Sequence, residues 1–178
     1  MTIRVIPTAL PGVVLLQPTV AHDTRGSFAR LSCVATLAAH GIAFSPRQTS
    51  LSRSARRGTL RGLHFQSAPS EETKIVHCIA GAVFDVALDL RPGSPTFRRA
   101  FGTELRAANG QGLLVPAGCA HGLLALTDDA AVLYQIDRDH DPRRAHGVRW
   151  NDPAFEIGWP FPPEVISDRD TAWPDYLP

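Results

Sequence analysis

Residues 59–81, TLRGLHFQSAPSEETKIVHCIAG, run directly into AVFDVALDL at 82–90, and together they decide the fold. Lys74–Ile79 is an apolar run, Ala80-Gly81 supplies a turn, and Ala82–Leu90 resumes the run. The spacing predicts two strands joined as a hairpin. Within VFDVALDL, Asp85, Ala87 and Asp89 share one face, while Phe84, Val86, Leu88 and Leu90 take the other. That is the two-residue period of a strand with one polar lining. Just ahead of these strands, His64, Gln66 and Lys74 gather an imidazole, an amide and an ammonium in one short stretch.

The same punctuation extends outward. The chain of 178 residues spreads 14 glycines and 15 prolines between short apolar runs, the pattern of an all-β sandwich or barrel. Gly12–Val20 and Leu113–Val115 are further runs, and HGLLALTDDAAVLYQI (121–136) reads as a second hairpin turning at Asp128-Asp129. One helix is expected at about 32–40, with Ser32 as N-cap and Gly41 as C-cap. The tail from Trp150 is rich in Pro, Asp and Trp and reads as loops and short helical turns. Length and the absence of a linker or repeat predict a single domain over 1–178.

Apolar residues make up 44% of the chain and charged residues 20%, with a formal net charge of +1. No global field points to nucleic acid or to an acidic membrane. Cys33, Cys78 and Cys119 are scattered without a CxxC, as expected of reduced thiols in a cytoplasmic protein. The short apolar run Val13–Leu16 has neither the length nor the flanks of a signal peptide or a membrane span.

The chemistry-bearing residues suggest proton transfer. His64 suits a general base near neutral pH. A fixed ammonium at Lys74 suits a developing oxyanion. Base and oxyanion stabiliser together fit proton abstraction beside a carbonyl, and inversion then needs an acid across the pocket. Tyr134, in AVLYQI with the parity of Val132 and Ile136, is the candidate. A carboxylate should hold the second nitrogen of the base; Asp85, Asp89, Asp168 and Asp170 are the candidates, and parity alone does not choose among them. No GxGxxG or P-loop occurs, so the carbonyl should already be present in the substrate.

The chain also resembles the cupin pattern, Gly-x5-His-x-His-x3,4-Glu-x6-Gly followed by Gly-x5-Pro-x-Gly-x2-His-x3-Asn. Gly110, Pro116, Gly118 and His121 match the second half, with Ala125 in place of Asn. In the first half His64 and Gly81 match, Gln66 stands for the second His, and Lys74 takes the place of Glu. An ammonium has no lone pair to give and an amide is a poor ligand for transition metals, so no metal is expected.

More closely, HDTRGSF (22–28), RQTSLS (47–52), GTLRGLHFQ (58–66), TKIVHCIAGAVFDVALDLRPGSPTF (73–97), VPAGCAHGLLAL (115–126), AVLYQIDRDHDP (131–142), RWNDP (149–153) and ISDRD (166–170) resemble the dTDP-4-dehydrorhamnose 3,5-epimerase family. The resemblance implies a cupin-type double-stranded β-helix (jelly roll) with a few short helices. It implies a homodimer that epimerises a nucleotide-linked 4-keto-6-deoxysugar without metal or cofactor. By resemblance His64 is the base at C3 and C5, Asp170 its carboxylate, Lys74 the stabiliser of the enolate at O4, and Tyr134 the acid. Arg61 and His121 match pocket residues near the diphosphate and sugar. Gln48 matches a nucleotide contact, as do Arg25 and Phe28 reaching over from a partner subunit. His140 takes the place of a second tyrosine in the sugar pocket, Arg30 that of a glutamate beside the base, and Ser50 that of an asparagine. These departures bear on which nucleotide and sugar are used. A 3-only epimerase, another cupin enzyme such as a ketoisomerase, and a non-catalytic sugar-nucleotide-binding cupin are the alternatives.

Overall fold

The computed structural model describes residues 1–176. The elements run β1 (Ile3–Pro7), β2 (Val14–Pro18), β3 (Val20–Asp23), β4 (Gly26–Ala29), α1 (Val34–Ala39), β5 (Gln48–Ser54), β6 (Leu60–Gln66), β7 (Lys74–Ala80), β8 (Ala82–Asp89), β9 (Ala100–Arg106), β10 (Gly112–Val115), β11 (Cys119–Ala125), β12 (Ala130–Ile136), β13 (Ala145–Gly147) and α2 (Asp168–Thr171). Two antiparallel sheets carry the barrel, ordered β1-β2-β10-β7-β12-β5 and β13-β6-β11-β8-β9. The ribbon β3-β4 stands apart from both. The architecture is the expected jelly roll, with the few short helices at its margins.

Both expected hairpins need correction. β7 pairs with β10 and β12, whereas β8 pairs with β11 and β9, so Gly81 carries the chain from one sheet to the other. The reason is local. A single residue separates the strands, too few for a hairpin turn, and Gly81 takes φ +67°. Each strand is then a central one with neighbours on both edges. The run 121–136 behaves alike: it turns near Asp129 at φ +51°, but β11 and β12 lie in different sheets. The helix differs at its start. Val34 is its first helical residue, so the cap falls to Cys33, which makes no side-chain capping bond, and Ser32 lies outside. At its end Gly41, at φ +73°, donates to Ala38 while Ile42 donates to Leu37, closing the last turn.

Side-chain alternation sets three apolar layers. Between the sheets lie Val76, Cys78, Val83, Ala87, Leu113, Val115, Leu123 and Val132. Ile75, Leu114, Leu16 and Phe44 pack under Leu37 of α1 on the outer face of the first sheet. Val86, Leu88, Leu63 and Ala120 pack under Val148 and Phe155 of the tail. The strand β8 shows the parity directly, since Val83 and Ala87 belong to the inner layer and Val86 and Leu88 to the outer. Apolar residues fill one end of the interior. Toward the other end the inward positions become Lys74 on β7, His121 on β11 and Tyr134 on β12.

His77 lies among the outward positions of β7 at 1% exposure, and neither ring nitrogen has a hydrogen-bond partner among the described residues. A Cβ at Gly112 would stand where this ring lies. Burial lowers the imidazole pKa from 6.5 to about 4, only partly offset by the backbone of Leu31. A depressed histidine contributes stability that is complete above its unfolded pKa and is lost as pH falls toward the folded one. Acidification from pH 7 to 4 should therefore remove about 3 kcal/mol through this group. Urea unfolding at both pH values should show that loss in the native protein and a smaller one in His77→Leu. Equal losses would refute the assignment.

Candidate active site

The site begins where β6 and β11 touch. His64 pairs with His121 across the ladder, and the register shifts just beyond. Gly62, at φ +125°, makes the close approach possible: a Cβ there would stand 2.5 Å from the Cα of Gly122 and 2.8 Å from the oxygen of His121. Its free N–H donates to Oδ2 of Asp170 at 3.1 Å, while Oδ1 of the same carboxylate lies 2.6 Å from Nε2 of His64.

Asp170 arrives from 106 residues away because the tail is tied to the start of β6. Thr59 bridges Val165, Leu60 donates to Val165 at 2.8 Å, and Glu164 donates to Gly58 at 2.9 Å. The one-turn helix α2 follows, its N-cap Ser167 accepting from the Asp170 N–H at 3.1 Å. Burial pushes the Asp170 carboxyl up. The hydrogen bond and charge of His64, with Gly62 N–H and Ser167, outweigh it and leave the group below its ordinary value. The His64 side chain is 43% exposed, and Nδ1 has no hydrogen-bond partner among the described residues. With Nε2–H donated to the carboxylate, Nδ1 is the open base position.

Lys74 stands on the facing sheet. Its side chain is 11% exposed, and Nζ lies 2.8 Å from Oε1 of Glu72 and 3.3 Å from the main-chain oxygen of His64. His121 turns Nε2 to both oxygens of Asp85 at 2.9 and 3.0 Å and meets the Tyr134 ring edge-on at 5.7 Å. Burial holds the Tyr134 hydroxyl well above its ordinary pKa, with the charge of Asp85 adding and Arg61 opposing. The phenol is thus a retained proton donor. Arg61 is anchored by Ser54 Oγ at 3.3 Å and the Arg53 carbonyl at 2.8 Å.

These groups share one cavity of about 600 Å³, lined by Ser50, Ser52, Arg61, His64, Lys74, His121, Tyr134 and Asp170 among others. An adjoining cavity of about 300 Å³ adds Gln48, Phe65, Glu72, Arg138 and His140, with Ser50, His64, Lys74, Ile136 and Arg169 common to both. Gln66 also lines the adjoining cavity, but its side chain is taken up by the loops around it. Its amide donates to Ser70 and Asp139 and accepts from Asp141 at 2.6 Å, pinning two loops. Among the described residues no three His, Cys, Asp or Glu side chains gather as a metal-ligand set.

Of the four carboxylates open on parity, Asp170 faces His64 and Asp85 faces His121. Asp89 clamps Arg91, Ser94 and Thr96, and Asp168 is exposed in the first turn of α2. Arg25 and Phe28 stay apart from the cavity on the β3-β4 ribbon, in a shallow depression of their own. Arg25 pairs with Asp23 at 2.6 Å, and Phe28 is 62% exposed. Glu72 and Arg169 line the cavities without having been anticipated. Two-residue parity with Lys74 signals the first, and adjacency to Asp170 the second.

Barrel and pocket together define a cupin-type enzyme with its polar site at one mouth of a jelly roll. The family model described as dTDP-4-dehydrorhamnose 3,5-epimerase matches residues 7–177. A relative of that name from Salmonella typhimurium is 39% identical over 175 residues, covering 96% of this chain and 93% of that protein. The crystal structure of the Bacillus anthracis enzyme of that name, with TDP and PPi bound, superposes with a TM-score of 0.95 at 38% identity, over 98% of this chain and all (100%) of that one. A 3'-monoepimerase from Streptomyces bikiniensis in complex with dTDP-quinovose superposes at 0.89 with 33% identity, over 96% and 86% of the two chains. The chain belongs to the dTDP-4-dehydrorhamnose 3,5-epimerase family.

Proposed function

We propose that the protein epimerises a dTDP-linked 4-keto-6-deoxyhexose by proton transfer alone. The observation that carries this reading is the division of labour between the two sheets. His64, backed by Asp170, stands on the five-stranded sheet, while Lys74 and Tyr134 stand on the six-stranded one, all around one cavity. Facing sheets lie about 10 Å apart, the span of a sugar ring between two walls.

Nδ1 of His64 takes the proton from the carbon beside the ketone. The C–H pair becomes the C=C bond of the enolate, and the carbonyl oxygen takes the negative charge against the Lys74 ammonium. The Tyr134 hydroxyl delivers its proton to the far face, the C=O bond re-forms and the carbon is inverted. Imidazolium and phenolate return to their starting states by exchange with solvent. Arg61 and His121 hold the diphosphate and sugar, and Gln48 and His140 line the adjoining subsite for the rest of the molecule. Lys74 and Gln66 supply no metal ligand, and nothing in the proton inventory needs a cofactor.

The chain acts as one domain, with a homodimer bringing Arg25 and Phe28 of one subunit to the site of the other. The exposed Phe28 on a detached ribbon supports that arrangement. Among the described residues no helix is long and apolar enough to cross a membrane. A cytoplasmic enzyme of a free nucleotide sugar fits the reduced cysteines, with neither nucleic acid nor membrane as partner.

Turnover in D2O tests the reading. The product should carry deuterium at C3 and C5. Deuterium at C3 alone would make this a 3-epimerase, as the Streptomyces bikiniensis protein is named. No deuterium at either carbon with nucleotide bound would refute the reaction.

A further inference from the structure

We infer that Glu72 is a positioning residue for this reaction: with the main-chain oxygen of His64 it fixes two N–H bonds of Lys74 and leaves the third for the substrate oxyanion. The inference rests on the reaction proposed above and assigns a role to a residue outside its base, acid and oxyanion groups.

An ammonium has three donors and no acceptor. Here two acceptors are already in place, Glu72 Oε1 at 2.8 Å and the His64 carbonyl at 3.3 Å. Both lie in the wall of the cavity, so the remaining N–H has the cavity before it. Glu72 is itself enclosed. Its side chain is 6% exposed, and the intervening Thr73 is bonded in both directions to Asp137, donating to Oδ1 at 2.8 Å and accepting from N–H at 3.2 Å. Two-residue alternation from this fixed point turns Glu72 and Lys74 to the same side.

Stability does not explain the pair. Oε2 of Glu72 is buried without a hydrogen-bond partner among the described residues. An orphaned buried acceptor is destabilising, and apolar replacement of a buried ion pair is often neutral or stabilising. What the unpaired oxygen secures is direction. No second donor competes for the carboxylate, so it cannot swing away from Lys74. The carboxylate also compensates a cation taken out of water before substrate arrives.

The test compares Glu72→Ala and the isosteric Glu72→Gln, alone and with Lys74→Met, in the full chain. Removing a fixed oxyanion donor costs about 10²-fold in kcat, so Glu72→Ala should lose roughly that factor with KM little changed. Glu72→Gln, which keeps an acceptor oxygen, should recover part of it. Glu72→Ala should add nothing to Lys74→Met, because the two act as a unit. A nitrogen-15 lysine label supplies a readout free of the reaction: the Lys74 ammonium should give a slowly exchanging signal in the native protein that disappears in Glu72→Ala. Wild-type kcat in Glu72→Ala, losses additive with Lys74→Met, or an unchanged ammonium signal would each overturn the inference. A native protein that places no deuterium in the sugar would overturn the reaction instead, and the ammonium signal would still decide whether Glu72 holds Lys74.

Discussion

His64→Ala is expected to lower kcat by about 10²- to 10⁴-fold, the range that positioned general bases contribute. Deuterium entry into the sugar should fall by the same factor, since both outcomes begin with one proton abstraction. Nucleotide affinity should change little, because the proposed reaction brings the imidazole to the sugar carbon and not to the diphosphate. The substitution also reaches Asp170. That carboxyl is 4% exposed and depends on His64 for part of what keeps it ionised, against the opposing effect of burial. A depressed carboxyl contributes stability that is present above its unfolded pKa and disappears as pH falls through the folded one. The variant should therefore be somewhat less stable at neutral pH, and melting in the presence of dTDP separates that loss from the kinetic one. Wild-type exchange in His64→Ala would place the base elsewhere.

Tyr134→Phe should give a different signature. The ring keeps its edge-on contact with His121, and only the hydroxyl is lost. Formation of inverted product should fall by about 10²-fold or more. Deuterium should nonetheless continue to enter the substrate with retention of configuration, because His64 can return a solvent-exchanged proton to the face it came from. Exchange without inversion is the outcome that separates an acid on the far wall from a wall that merely shapes the pocket. Inversion at the native rate would remove Tyr134 from the mechanism. Parallel loss of exchange and inversion would move it to the enolisation step.

The strands and their faces were legible because alternation is a property of neighbouring residues. Val83 and Ala87 point inward and Val86 and Leu88 outward for reasons contained in eight residues. Strand partners were not legible in the same way. Whether the strands flanking Gly81 pair depends on what fills the edges of each, and β10, β12, β11 and β9 come later in the chain. The same distinction divides the site. His64, Lys74 and Tyr134 carry types and parities that announce proton chemistry, whereas the selection of Asp170 over Asp85 depends on a tail docking 106 residues on. Glu72 lay within reach of parity but was masked by its short, polar surroundings in PSEETK. Arg25 and Phe28 lie on the β3-β4 ribbon away from the cavity, and the role proposed for them requires a second subunit, which no reading of one chain's local pattern positions.

The docking of the tail on β6 has one more consequence. The strands of both sheets are complete by Gly147, and the carboxylate bonded to the imidazole rides on a single helical turn held beyond them by main-chain bonds at Gly58 and Leu60. A cut ahead of Ser167 would leave each strand of the barrel in the chain, yet it would remove both the carboxylate paired with His64 and Tyr176, which packs beside Phe155 on the outer layer. One short segment thus serves the packing of the barrel's outer face and the setting of the imidazole together.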